Sequence, residues 1–155
     1  ISLFVSMLVL VLLTRRLGQS LVVILPVGLA GAWVVGAMAM LGINWNVLTI
    51  MITALTIGLG IDYSIHVWRR IEANRSSGMG TWEAMRDMYS TTGTALLLSA
   101  GTTICGFMVL LLSPIPVIQD FGIVSSISVL FSLVMALLVL PGLLAAEFRT
   151  SGDYT

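Results

Sequence analysis

The sequence predicts an all-α membrane protein, a bundle of five transmembrane helices with a short helix at the membrane surface. Three observations carry that expectation. Apolar residues make up 58% of the 155 residues and charged residues only 9%, against about 25% charge in a globular domain. The mean hydropathy is +1.08. Several apolar runs approach or exceed the roughly 20 residues that cross a bilayer, and short polar segments separate them.

Residues 1–13 are apolar but short, as expected of a spanning helix without its first turns. The chain opens in Ile1-Ser-Leu-Phe with no initiator methionine or charged leader. No signal peptide is visible, and the start reads as a point inside a longer protein. A second span is predicted over about 21–41. It contains Pro26, tolerable in a membrane helix when neighbours satisfy the freed carbonyl. It also carries Gly28, Ala32 and Gly36, a small-residue face suited to close helix packing.

A polar turn at Asn44–Asn46 leads to a third span over about 47–68, ending at Trp68. Arg69 to Ser90 is the long polar segment. Gly78 and Gly80 break it, and Thr81 is expected to cap a short helix with Glu83 in its first turn. Trp82, Met85 and Tyr89 give that helix one apolar face, as in a helix lying in the interface plane; a solvated linker helix is the alternative. The fourth span is predicted over about 91–112, the proline turn Ser113–Pro116 ends it, and the fifth covers about 118–145. Gly122, Ser125, Ser126, Ser132 and Ala136 form a small polar stripe on the fifth. Residues 146–155 make a short tail.

The chain has no lysine, and its seven arginines are Arg15, Arg16, Arg69, Arg70, Arg75, Arg86 and Arg149. With five spans all of them fall on one side of the membrane and none on the other. The positive-inside rule makes the arginine side cytoplasmic, and the protein is expected in the cell (inner) membrane.

The organising stretch is Ala54 to Arg70. Ala54, Gly58, Asp62 and His66 stand four apart and share one helix face, with Tyr63 about 100° round from Asp62. Asp62 lies about six residues, roughly 9 Å, short of Trp68. A carboxyl at that depth is tolerated when it is protonated, hydrogen-bonded or hydrated, and is a functional-site candidate by default. It can bind and release a proton as its surroundings change, the simplest device for coupling proton entry to movement. Tyr63 could donate to a carboxylate on a facing helix, Ser99, Thr102 and Thr103 could hold Asp62 or a file of water, and His66 could be the next stop. The plainer alternatives are a structural carboxyl at Asp62 and a His66 that points to water. Gly58 and Gly106 are expected to let the third and fourth spans approach closely.

Other chemistries find little support. One histidine and one cysteine give no metal-ligand spacing, no disulfide is available to the lone Cys105, and packing is its expected role. Gly58-Leu-Gly60 lies in an apolar helix with no phosphate-binding pattern after it. The serines and threonines have no visible base for nucleophilic catalysis. No enzyme activity, cofactor or nucleic-acid partner is expected.

Gly58-xxx-Asp62-Tyr63-xx-His66 resembles the fourth helix of the resistance-nodulation-division (RND) superfamily, above all of the MMPL-type exporters. Gly93 to Phe107, with Thr102, Thr103 and Gly106, resembles the fifth helix of that group, and Leu140-Pro141-Gly142 the end of its sixth. The unit is also similar to the sterol-sensing domain of Patched-like proteins. The resemblance implies that residues 1–145 are helices two to six of one six-helix half. A first helix, a porter domain and a second half would lie elsewhere. It further implies a proton relay through Asp62 and Tyr63, driven by the proton-motive force. The implied partners are membrane lipids, protons, a hydrophobic substrate and the other half of the transporter, with homo-oligomerisation open. A sterol-sensing regulatory module and an accessory motor of protein export are the competing readings.

Overall fold

The computed structural model describes residues 17–43 and 47–150. The expected first span, Arg15, Arg16, the 44–46 turn and residues 151–155 lie outside them. The described chain forms α1 (Leu17–Leu41), α2 (Val47–Ser76), α3 (Thr81–Met88), α4 (Thr94–Met108), α5 (Pro116–Val134) and α6 (Leu140–Thr150). Four stretches are long and apolar enough to cross a membrane: Val23–Leu41, Ile50–Ser76, Thr81–Leu112 and Pro116–Ala145. This is an all-α membrane protein.

The punctuation follows the sequence. Gly42 and Gly78 take φ of 66° and 91°, the left-handed conformation that closes a helix. After Gly42, Ile43 N–H bonds the Met38 carbonyl at 3.1 Å; after Gly78, Met79 N–H bonds the Asn74 carbonyl at 3.2 Å. Pro116 opens α5, where a missing N–H does no harm. Two boundaries differ from expectation. The third span runs on as helix to Ser76, because charged residues end an apolar run without breaking a helix. The surface helix is not separate either, since α3 continues into α4 through a π-helical turn at Tyr89–Gly93. Gly80, not Thr81, occupies the cap of α3, with no side-chain bond.

That turn has a local cause. Thr91 and Ser90 hydroxyls donate to the Asp87 carbonyl at 2.7 and 3.1 Å, competing with the backbone ladder. A second π turn, Met135–Val139, joins α5 to α6. Pro141 has no N–H for the carbonyl four residues back, which is Leu137. The Tyr89 hydroxyl donates to that carbonyl at 2.7 Å, so one wide turn clasps the other.

Packing centres on α5, which touches α1, α2 and α4, while α2 also lies along α1. α2 and α5 run parallel: Thr56 pairs with Ser128, and Gly60 sits against Ser132. α4 and α5 approach closely at Gly122. A Cβ on Gly122 would stand 2.7 Å from the Phe107 carbonyl oxygen and 3.0 Å from Leu110 Cβ. Phe107 and Phe121 meet edge to face at the same contact, centroids 6.1 Å apart. The expected close pairing of the third and fourth spans is therefore corrected. Nothing comes within 4 Å of a Cβ built on Gly58 or Gly106, because α5 takes the place beside α4. The stripe Gly28, Ala32, Gly36 is also exposed, and nothing described stands within 4 Å of a Cβ built on Gly28 or Gly36. Ala32 and Gly36 line an open apolar groove of about 580 Å³ with Trp33 and Phe131.

At the arginine end α3 folds back under α2. Ala84, Met85 and Met88 are buried, whereas Trp82 is 85% exposed. Met85 and Trp82 thus part company, and the expected shared apolar face does not form. Asp87 Oδ2 accepts from Arg70 Nε at 3.0 Å, Arg70 Nη2 at 2.8 Å and Asn74 Nδ2 at 2.7 Å. The Asn74 amide also donates to the Ala84 carbonyl at 3.3 Å. The Asn74 hydrogen bond above all, with the hydrogen bond and charge of Arg70, holds the Asp87 carboxyl below its ordinary value of 3.8 against the opposing effect of burial. A depressed carboxyl stabilises the fold above its unfolded value, and that contribution is lost as pH falls through the folded one.

Two predictions follow from this packing. Gly122→Ala is expected to lower the folded stability in detergent by about 1–3 kcal/mol, the usual range for overpacking, while Gly58→Ala and Gly106→Ala hold or raise it; thermal denaturation checks the contrast. Asp87→Asn is expected to lower the melting temperature at neutral pH. Its deficit should shrink below pH 3.8, where the wild-type carboxylate takes up its proton, and melting curves across that range read it.

Candidate functional site

The site is built on one face of α2. Ala54, Gly58, Asp62 and His66 are all exposed, and Val47 and Met51 extend the stripe toward the other end of the helix. The opposite face carries Ile57, Ile61, Val67 and Ile71 into the core. The helix is amphipathic only in this sense: its inward side is aliphatic and its outward side small, then ionisable. α5 and α1 cover the first side and leave the second open.

Asp62 forms no ion pair or hydrogen bond with a described residue, and the Arg70–Asp87 ion pair lies far along the helix. His66 stands one turn nearer the arginine end on the same open face. Tyr63 is 5% exposed and belongs to the hydrophobic core. The phenol therefore looks into this bundle while its sequence neighbour looks out. Spacing alone states the angle between them but not which side is covered.

The hydroxyls expected around Asp62 are elsewhere. Thr102 and Thr103 donate to the Ser99 carbonyl of their own helix at 2.8 and 2.9 Å. Ser99, Thr102 and Gly106 are exposed on α4, which packs on α5 and makes little contact with α2. Both α2 and α4 thus present a small polar face outward. A side chain that spacing did not single out is Asn74, 7% exposed. It stands three turns beyond Asp62 on the same helix and ties that helix to α3. The i, i+4 pair Arg70 and Asn74 was the available signal. Among the described residues no group of three His, Cys, Asp or Glu side chains could hold a metal.

An open face with one carboxyl at span depth cannot be left to lipid. It must meet water or another protein segment.

Comparison with known proteins finds relatives among membrane proteins. A membrane protein of Methanocaldococcus jannaschii is 36% identical over 143 residues, covering 92% of this chain and 37% of that protein. Patched homolog 1 of Danio rerio is 28% identical over 82% of this chain and 11% of its own length. Patched homolog 2 of Homo sapiens is 29% identical over 81% of this chain and 10% of its own. The chain thus spans little more than a third of the archaeal relative and about a tenth of the Patched proteins. No solved structure matches it. The MMPL family model matches residues 1–150, and with the motifs around Asp62, Gly93 and Pro141 this shows that the chain belongs to the MMPL family, within the RND superfamily.

Proposed function

We propose that this chain is half of the membrane motor of a proton-driven exporter of lipids or other hydrophobic molecules, with Asp62 as the proton-coupling residue. The observation that carries the reading is the open face of α2. A carboxyl at span depth, without a described partner, stands on a stripe whose other members are small. That surface suits a second helical half bearing its own polar groups. Relatives far longer than this chain have room for one. Protonated, Asp62 can sit against an apolar partner; ionised, it needs water or donors. Alternation between the two forms favours two different packings of the facing helices, and that is how proton passage does work. His66 lies on the way to the arginine end. Tyr63, buried behind Asp62, holds the helix in rotation and is the second polar group of the relay.

The likeness to Patched homologues favours a second reading, a sterol-sensing module that binds or regulates without transport. A full-length chain lacking a second carboxyl-bearing half would favour it. In either reading the arginine end is cytoplasmic and the 113–116 turn lies outside.

Two experiments test the proposal. In proteoliposomes carrying the full-length protein, a pH gradient should drive movement of a fluorescent lipid. Asp62→Asn is expected to abolish that movement with folding nearly unchanged, and Tyr63→Phe to reduce it less. Wild-type rates for Asp62→Asn would make Asp62 a structural carboxyl. For topology, single cysteines at Ser77 and Pro114 in a Cys105→Ser background are expected to label from opposite sides. Labelling from the same side would overturn the orientation.

A further inference from the structure

The interior of the bundle holds a second polar feature, on the side of α2 turned away from Asp62. Thr56 and Ser128 share a buried hydroxyl–hydroxyl bond, and the Thr56 hydroxyl donates on to the Ile52 carbonyl at 2.8 Å. The Ser132 hydroxyl reaches the Thr56 carbonyl at 3.5 Å. Gly60 adds the space: a Cβ there would stand 3.5 Å from Ser132 Oγ and 3.2 Å from Val27 Cγ1. Two further hydroxyls bracket these. Ser125, 0% exposed, shares the face of Ser128 and Ser132 on α5; Ser64, 1% exposed, shares the face of Gly60 on α2. With the helices parallel, the row runs Ser125, Thr56–Ser128, Ser132, Ser64, about 16 Å in all at 1.5 Å rise per residue. The middle hydroxyls are bonded. The two at the ends have no hydrogen-bond partner among the described residues, and they are the only such buried side-chain atoms there.

A buried hydroxyl left without a partner costs about 1–3 kcal/mol, and a buried water needs a polar site with two to four partners. Register brings further polar groups to the level of both ends. Register puts Thr53 of α2 at the level of Ser125. At the other end the π turn Met135–Val139, whose bonds run i→i+5 off the α-helical ladder, packs against α2 at the level of Ser64. We propose that Ser64 and Ser125 each hold a buried water molecule, so that the α2–α5 contact is a hydroxyl seam hydrated at both ends. Water at these points gives α2 exchangeable polar contacts on its inner side, where an apolar seam would lock it in one register.

A structure of the full-length protein in a lipid nanodisc, at a resolution that shows ordered solvent, tests this. Solvent density within hydrogen-bond distance of Ser64 Oγ and of Ser125 Oγ is expected. Absence of density at either, with that hydroxyl turned to the carbonyl of its own helix, overturns the proposal. Ser64→Ala and Ser125→Ala give an independent readout in the same protein. Each is expected to lower the melting temperature, because the water loses a partner. An unchanged or higher melting temperature, as when a dry unpaired hydroxyl is removed, also overturns it.

Discussion

The placement of α5 between α2 and α4 is the constraint on which the rest depends. In lipid, helices gain little from hydrophobicity against one another, so backbone proximity and polar contacts decide who neighbours whom. Gly122 lets α5 lie against the Phe107 carbonyl of α4, and the serines on its other side meet Thr56 and Gly60 of α2. With both its flanks taken, α5 keeps α4 off α2. The face of α2 that carries Gly58, Asp62 and His66 is then left uncovered. An open polar face at span depth is thus a consequence of the packing, and the proposed function follows from it.

The arginine end fixes the same helix from outside the apolar span. Arg70 and Asn74 extend α2 past its apolar part and converge on one oxygen of Asp87. α3 carries that carboxylate and leads directly through the Tyr89–Gly93 turn into α4. Tyr89 bonds the Leu137 carbonyl that Pro141 leaves without its helical donor. Hydrogen bonds of 2.7–3.0 Å thus link α2 to the start of α4 and the end of α5. The interior seam at Thr56 and Ser128 is a further polar contact between α2 and α5.

Much of this was legible in the residues. Length and apolarity of the runs gave the spans, glycine and proline gave the turns at Gly42, Gly78 and Pro116, and the lone carboxyl marked its own helix. The neighbours were not legible. A helix apolar all round has no side that hydrophobicity points inward, so Gly58 and Gly106 looked as suitable for close contact as Gly122. Of these three, Gly122 alone meets a neighbouring backbone. For the same reason Ser99, Thr102 and Thr103 could be imagined around Asp62, although two of them bond their own helix. The Asp87 contacts escaped notice because thirteen to seventeen residues of chain separate the partners. The serine stripe of α5 was visible as spacing, and its partner Thr56 was not.

The proposed function requires Asp62 to change protonation as the protein works. Infrared difference spectroscopy of the full-length protein in lipid, recorded across a pH jump, tests it most directly. A carbonyl band of a protonated carboxylic acid that appears and disappears with pH, and is missing from Asp62→Asn, is expected. A band that persists unchanged in Asp62→Asn, or a wild-type spectrum with no carboxyl change, would contradict it.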